Sequence, residues 1–305
     1  MNVKRTQAER SEATRSTLIE AARPLFAERG YAGVGAEEIV RAAGLVRRGQ
    51  VYDLGAELSN DMPETSKESF MPYRLLTYRT NRDMARDADW HGVSFYTEVL
   101  MATPHVSTHI DALNHVSQDG QIYGGHRLDE VERDFGMAAE GIETVPPIVT
   151  RGVLLDVAAY KGVAQLPDHY EIGVADLQGA LARQGTVLQR GDTVLIHTGK
   201  MRQYAVDNAA FLAGQPGVGV AAALWLYDQG MAVLGSDTTG TEPQPVTDWA
   251  QTVHVAMLRD RGVHLIEWMY LEDLAAAGVH EFLFICLPLK LRGASGSWVR
   301  PVAVV

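Results

Sequence analysis

A single cysteine, Cys286, stands in 305 residues. No disulfide can therefore form within the chain, and a reducing cytoplasm is the expected compartment. The residues around it, 282–288, are apolar, so a buried strand position is expected; a nucleophilic thiol would need an activating base that nothing nearby supplies. No apolar run approaches the about 20 residues that cross a bilayer. The first ten residues lack the apolar stretch of a signal peptide. Positive charge is scarce: 27 Lys and Arg stand against 38 Asp and Glu, for a formal net charge of −11. That balance disfavours nucleic acid as the main partner. Internal repeats and low-complexity tracts are absent. What remains, 46% hydrophobic and 21% charged residues, is the composition of a globular chain that can bury a core without crosslinks.

The charge is unevenly spread. Residues 1–50 hold nine Lys and Arg and six Asp and Glu, a balance of +3, and the remaining 255 hold 18 and 32, a balance of −14. The spacing of Leu18, Ala21, Ala22, Leu25 and Phe26 predicts an amphipathic helix over 11–29, stopped at Gly30. A second short helix fits 36–43, before Gly44. The stretches Thr14-Arg-Ser-Thr-Leu-Ile-Glu-Ala-Ala-Arg-Pro-Leu-Phe-Ala-Glu-Arg-Gly-Tyr31 and Ala36-Glu-Glu-Ile-Val-Arg-Ala-Ala-Gly-Leu45 resemble the start of a TetR-type DNA-binding domain. Residues 46–52 would have to serve as its recognition helix. The same residues open a strand, Gly49-Gln-Val-Tyr-Asp-Leu54, and a strand tied into a large sheet outcompetes an orphan helix. The expectation is a truncated helical appendage over 1–48, not functional in DNA binding, followed by one domain over 49–305. A DNA-binding regulator acting through residues 1–52 is the weakest functional alternative.

From residue 50 onward strands and helices alternate, which predicts a mixed α/β domain. Strands are expected over 51–54, 95–101, 153–156, 193–198, 231–234, 264–267 and 281–290. Helices are expected over 174–184, 218–229, 248–261 and 271–277. Gly214-Gln-Pro-Gly-Val-Gly219 lacks the Gly-Lys-Ser/Thr ending of a phosphate loop and reads as a turn into the next helix.

The densest chemistry lies in Thr103-Pro-His-Val-Ser-Thr-His-Ile-Asp-Ala-Leu-Asn-His-Val116. His105, His109, Asp111 and His115 place four nitrogen and oxygen donors within eleven residues, a set suited to Zn²⁺ or Mn²⁺. On one continuous helix His105 and His109 would share a face, while Asp111 and His115 would share another on the far side. A turn carrying the first pair, feeding a short helix that carries the second, would let all four converge. Thr108 would then be a cap or a donor to one of the ligands.

This run resembles the signature of the cyclase family, which includes bacterial kynurenine formamidases and isatin hydrolases. The family pattern His-x-Gly-Thr-His-x-Asp-x-Pro-x-His stands here as His105-Val-Ser-Thr-His-Ile-Asp-Ala-Leu-Asn-His115, with Ser107 for the glycine and Leu113 for the proline. The resemblance extends over residues 49–305, through Pro147-Ile-Val-Thr-Arg-Gly-Val-Leu-Leu-Asp156, Gly191-Asp-Thr-Val-Leu-Ile-His-Thr-Gly199 and Leu234-Gly-Ser-Asp-Thr238 to a late His254 and Glu267. It implies a swivelling β/β/α fold, an oligomer (dimer or tetramer), and a metal-dependent hydrolase of small amides or lactones. His105, His109 and Asp111 would hold the first metal. His115, His254 and Glu267 would complete a second site or act as acid and base groups, with His115 the first candidate for the proton shuttle and Glu267 the second. Hydrolysis of a linear or cyclic amide C–N bond is the leading expectation. A metal-assisted cyclase or lyase, or a lactonase, is the alternative on the same scaffold.

Outside this set, Asp237 follows an apolar stretch and is either a substrate contact at a pocket edge or part of a strand-ending turn. Lys200 and Arg202 are expected to be solvated loop charges, with binding of a substrate carboxylate as the sharper alternative. Trp90, Phe95, Tyr96 and Trp268 are candidates for an apolar wall.

Overall fold

The computed structural model describes residues 43–65, 69–84, 86 and 90–305. The helices expected over 11–29 and 36–43 fall outside this set, Ala43 excepted. In chain order the early strands are β1 (Val51–Asp53), β2 (Arg74–Arg79), β3 (Thr97–Met101), β4 (His109–Asp111), β5 (Glu132–Arg133) and β6 (Gly136–Met137). The middle of the chain adds β7 (Ile148–Asp156), β8 (Glu171–Ile172), β9 (Thr193–His197), β10 (Gly217–Val218) and β11 (Val233–Ser236). The last four are β12 (His264–Glu267), β13 (Glu281–Cys286), β14 (Gly296–Trp298) and β15 (Val302–Val304). Among the helices, α1 is Val157–Lys161, α2 Val174–Gln184, α3 Asn208–Ala213, α4 Val220–Asp228 and α5 Glu272–Ala276. A π-helical turn, Val255–Arg259, lies between α4 and α5.

Nine strands form one mixed sheet in the order β1-β15-β13-β7-β9-β11-β12-β4-β14. Its centre is parallel, from β7 through β9 and β11 to β12. Strands covered on both faces read as unbroken apolar runs, and Val194, Leu195 and Ile196 are all fully buried. Alternation sends their side chains to two cores. On one face Val153, Leu155, Val194 and Ile196 pack with Leu177 of α2 and Leu226 of α4. On the other, Leu154, Leu195 and Ile266 pack with Phe282 and Phe284 of β13.

The helix expected over 174–184 forms with those bounds. The Asp176 carboxylate accepts from the Gly173 amide at its start, and Gly185 closes it at a φ of 66°, a left-handed conformation that costs glycine little. The predicted strand at 51–54 also forms. Val51, Tyr52 and Asp53 pair antiparallel with Val304, Ala303 and Val302, while the Arg48 and Gln50 amides donate to the Val305 carbonyl. Residues 51 and 52 are thus sheet and not recognition helix. Several elements had no counterpart in the sequence reading, among them β2, β14 and β15. Cys286 is buried at the end of β13, and burial pushes its thiol up.

One consequence of the topology matters most for the site. Because β7, β9, β11 and β12 run parallel, Asp156, His197, Ser236 and Glu267 all stand at the same edge of the sheet. β4 runs antiparallel to β12, so its first residue, His109, and the loop before it reach that same edge. Ligand sites in open α/β sheets favour this carboxyl-terminal edge.

Candidate metal centre

The expected helix carrying Asp111 and His115 is absent. His109, Ile110 and Asp111 instead form β4, with His115 in a turn whose amide donates to the Ala112 carbonyl. A strand serves convergence better than a helix here. Its period of two puts His109 and Asp111 on one face, and cross-strand partner Glu267 lies opposite His109 on that face. The loop before β4 bends back through Ser107 at a φ of 58°. This left-handed conformation favours glycine, which explains the glycine in the pattern that the run resembles. Gly296, opposite Asp111 on β14, makes room for the first imidazole: a Cβ there would lie 2.8 Å from His105 Cε1.

Two imidazoles are held the same way. His109 Nδ1–H donates to the Ser107 carbonyl at 2.8 Å, leaving Nε2 3.3 Å from Asp111 Oδ1 and 3.7 Å from Glu267 Oε2. His254 Nδ1–H donates to Glu242 Oε2 at 2.7 Å, leaving Nε2 3.3 Å from Glu267 Oε1 and 3.6 Å from Asp111 Oδ2. A ring nitrogen tied down on one side so that the other faces carboxylates is the arrangement that orients metal-binding histidines. His105 Nδ1 lies 2.9 Å from Asp111 Oδ1, with Ser295 Oγ on its Nε2. His115 stacks on His105 with ring centroids 3.8 Å apart. Donor atoms fall into two overlapping sets, His109–Asp111–Glu267 and His105–Asp111–His115, with Asp111 common to both.

The electrostatics are those of a cation site. Asp111 and Glu267 are buried beside one another. Burial, assisted by Asp111 and opposed by His254, lifts the Glu267 carboxyl to about 7. Burial also opposes charge on His254, but Glu242 and Glu267 outweigh it and carry the imidazole up to about 10. His115, sunk away from water, is driven down to about 3 and is neutral. Asp111 Oδ2 is fully buried with no hydrogen-bond partner among the described residues. An uncompensated buried carboxylate oxygen is costly, and a divalent ion between these nitrogen and oxygen donors would compensate it. The residues present therefore fit a divalent metal ion.

The profile of the family described as "Putative cyclase" matches residues 52–243. A solved structure described as a novel cyclase is 31% identical, with a TM-score of 0.81 over 89% of this chain and 94% of that one. The chain belongs to the cyclase family. Isatin hydrolase A from Ralstonia solanacearum shares the fold at 23% identity, with a TM-score of 0.64 over 87% of this chain and 94% of that one. So does a structure described as a "predicted metal-dependent hydrolase" from Bacillus stearothermophilus, at 20% identity and a TM-score of 0.53 over 83% and 97% of the two chains. No curated protein matches the sequence. A second profile, for bacterial regulatory proteins of the tetR family, matches residues 18–52. Its last two positions lie in β1 of this cyclase-family sheet.

The remaining sequence candidates fall elsewhere in this cyclase-family chain. Asp237 is fully buried, and its carboxylate accepts from the Thr198 amide and hydroxyl and from the Gly199 amide. It fastens the turn after β9 and offers no free oxygen as a substrate contact. Lys200 is not solvated: its ammonium is fully buried, 2.7 Å from Asp168 and 3.1 Å from the Ala210 carbonyl. Arg202 pairs with Glu272 at 3.1 Å. The four aromatics form no common wall. Trp90 and Phe95 meet edge to face on the surface, whereas Trp268 is core beside Phe211 and Tyr204. Thr108 does not bond a metal-facing side chain. Its hydroxyl donates to the Trp268 carbonyl at 2.6 Å and accepts from the Ala56 amide at 2.8 Å, tying the segment of His109 to that of Glu267. Sequence reasoning missed Thr241, which donates to Glu267 Oε1 at 2.9 Å, as well as Glu242 and His264. His264 Nδ1–H holds the Asp111 carbonyl at 2.8 Å. The adjacency Thr241-Glu242 carried no motif by which to find it.

Proposed function

We propose that this cyclase-family chain is a metal-dependent hydrolase that opens a linear or cyclic amide at its C–N bond. The observation that carries the proposal is the convergence of His109 Nε2 and His254 Nε2 on the buried Asp111 and Glu267 carboxylates, with Asp111 Oδ2 otherwise unpaired. His105, His109 and Asp111 are the proposed first ligand set. His115, His254 and Glu267 are a second set or the acid and base groups around it. When bound, a divalent ion such as Zn²⁺ or Mn²⁺ supplies Lewis acidity toward water and the substrate carbonyl.

The chain's own groups supply orientation and proton transfer. Glu242 and the Ser107 carbonyl stop the His254 and His109 rings from turning. His115, driven down to about 3, resists taking up a proton at neutral pH and serves this reading better as a neutral donor of the second set. Glu267, lifted to about 7 without a bound cation, is the better group to take the proton released as water adds to the carbonyl carbon and to return it to the amide nitrogen as the C–N bond breaks, since proton transfer is best served by a group titrating near the working pH. Isatin, the substrate that names three of the structurally similar hydrolases, is a cyclic amide, and this supports the C–N assignment.

Metal analysis of the purified protein, with turnover of an amide and lactone panel in ¹⁸O-water before and after chelation, tests the proposal. Bound divalent metal, chelator-sensitive turnover and solvent oxygen in the new acid are expected, with His109→Ala and Asp111→Ala removing both metal and turnover. Unchanged metal content and rate in both variants would overturn it, and a product without solvent oxygen would move the reading to a cyclase or lyase.

A further inference from the structure

The glycine-rich turn 214–219 reads in the sequence as no more than the entry to α4, yet it packs against the loop that follows β11. The Val218 amide donates to the Thr241 carbonyl at 2.9 Å, and Gln215 and Gln244 exchange backbone hydrogen bonds in both directions. Gly217 permits the approach: a Cβ there would lie 2.2 Å from the Glu242 carbonyl carbon, so any side chain would drive the two segments apart.

Gln215 clamps the two together. It is 1% exposed, and its carboxamide uses its whole capacity of two donors and two acceptor sites. Nε2 donates to the Gly240 carbonyl at 2.6 Å and to the Glu242 carbonyl at 2.8 Å. Oε1 accepts from the Thr239 amide at 2.8 Å and from the Thr239 hydroxyl. One side chain thereby fixes the backbone on both sides of Thr241. Thr241 and Glu242 in turn reach the metal-facing groups. Thr241 donates to Glu267 Oε1 at 2.9 Å, and Glu242 Oε2 accepts from His254 Nδ1 at 2.7 Å. With Oε1 held by Thr241, Glu267 Oε2 is the oxygen left toward His109. With Nδ1 spent on Glu242, His254 Nε2 is the nitrogen left toward Asp111 and Glu267.

We infer that Gln215 is a positioning residue of the metal centre. It bonds no candidate ligand itself; acting through Thr241 and Glu242, it sets which oxygen of Glu267 and which nitrogen of His254 face the cation. Removing a contact that orients a metal ligand typically weakens metal binding about 10–100-fold, and here one carboxamide governs two such contacts. This role presupposes the metal-dependent reading above.

Chelator-competition titrations of the full chain with Zn²⁺ test it, beside thermal melts of the metal-free protein and visible spectra of the Co²⁺-loaded protein. Gln215→Met, similar in size and without a donor, is expected to weaken Zn²⁺ binding about tenfold or more and to alter the Co²⁺ bands, which report the ligand set. Thr241→Val combined with Glu242→Met should do the same. Adding Gln215→Met to that pair should cost less than about a further twofold, because the groups through which it acts are already gone. Thr239→Val removes one bond to Gln215 and no metal-facing group. It carries the test if Gln215→Met does not fold, with a loss of Zn²⁺ affinity of about two- to fivefold expected. A lower melting temperature with Zn²⁺ affinity and Co²⁺ bands unchanged, or a full multiplicative loss in the triple variant, would overturn the inference. A wild-type chain that takes up no Zn²⁺ would sink the hydrolase proposal and take this role with it, whereas normal uptake that neither Gln215→Met nor Thr239→Val disturbs would sink the role of Gln215 alone.

Discussion

Thr108 touches no metal-facing atom, yet its hydroxyl is the tie between the two halves of the centre. Thr108 itself stands one residue before His109; its hydroxyl donates to the Trp268 carbonyl, one residue beyond Glu267, and accepts from the Ala56 amide. Thr108→Val keeps the shape and deletes both bonds. The Trp268 carbonyl is buried, and leaving such a group unsatisfied costs about 1–3 kcal/mol. The partly buried Ala56 amide adds up to about 1 kcal/mol, for a total of about 1–4 kcal/mol. For a domain of this size, at about 2–4 °C per kcal/mol, the melting temperature should fall by about 2–16 °C. The β4–β12 pairing still holds His109 opposite Glu267, but loss of the tie loosens the turn at Trp268 beside Glu267, and Zn²⁺ affinity should fall modestly along with stability. Thermal melts of metal-free protein and chelator-competition titrations with Zn²⁺ measure the two effects separately. Thr108→Ser, which keeps the hydroxyl, should recover most of both. A Thr108→Val protein that melts within a degree of the wild type and binds Zn²⁺ normally would refute the reasoning.

Three further outcomes are expected. Gly296→Ala places a Cβ 2.8 Å from His105 Cε1 and 2.9 Å from the Ile110 carbonyl. Overpacking of this kind costs about 1–3 kcal/mol, and because His105 must move, Zn²⁺ affinity should fall along with the melting temperature; a fall in neither would count against the packing argument. His197 is buried; burial opposes its charge, but Asp156 at 2.8 Å and Glu272 at 3.2 Å outweigh it and carry the imidazole up to about 10. Its folded value lies above an unfolded value near 6.5, so its stabilisation is full below about pH 6.5 and lost as pH rises toward 10, with an upper limit of about 5 kcal/mol. Urea midpoints from pH 6 to 10 should show this loss in the wild type and a flatter profile in His197→Gln; equal slopes would remove His197 from the account. Finally, Leu75, Leu76, Tyr78, Val99, Leu100 and Met101 lie exposed on the β2–β3 ribbon. A two-stranded ribbon is marginal alone in water, so a homo-oligomer covering it is expected. Sedimentation velocity should show Leu76→Glu, which sits opposite Val99, to be a smaller species than the wild type, whereas a monomeric wild type would remove the need for a partner copy.

Much of the α/β order was legible because covered parallel strands carry apolar centres, as at 194–196 and 265–266, and because α2 carries a glycine at each end. β14 and β15 escaped notice. They are three residues each, and a strand so short carries too little periodicity to show. Among the described residues no helix is long and apolar enough to cross a membrane, in keeping with the hydropathy of the chain.

The donor set was legible too, since His105, His109, Asp111 and His115 crowd eleven residues, with His254 and Glu267 added by family resemblance. Its geometry was not. The sequence alone determined which atoms could bind a cation, because donor chemistry belongs to the side chain. Only the tertiary structure decided that Asp111 sits on a strand opposite Glu267, that Asp237 and Lys200 are spent on internal contacts, and that Glu242 turns His254 toward the centre. Those outcomes depend on which segments become neighbours in the fold, and that is settled by packing between residues distant in the chain, as far apart as His109 and Glu267, beyond the reach of any local pattern.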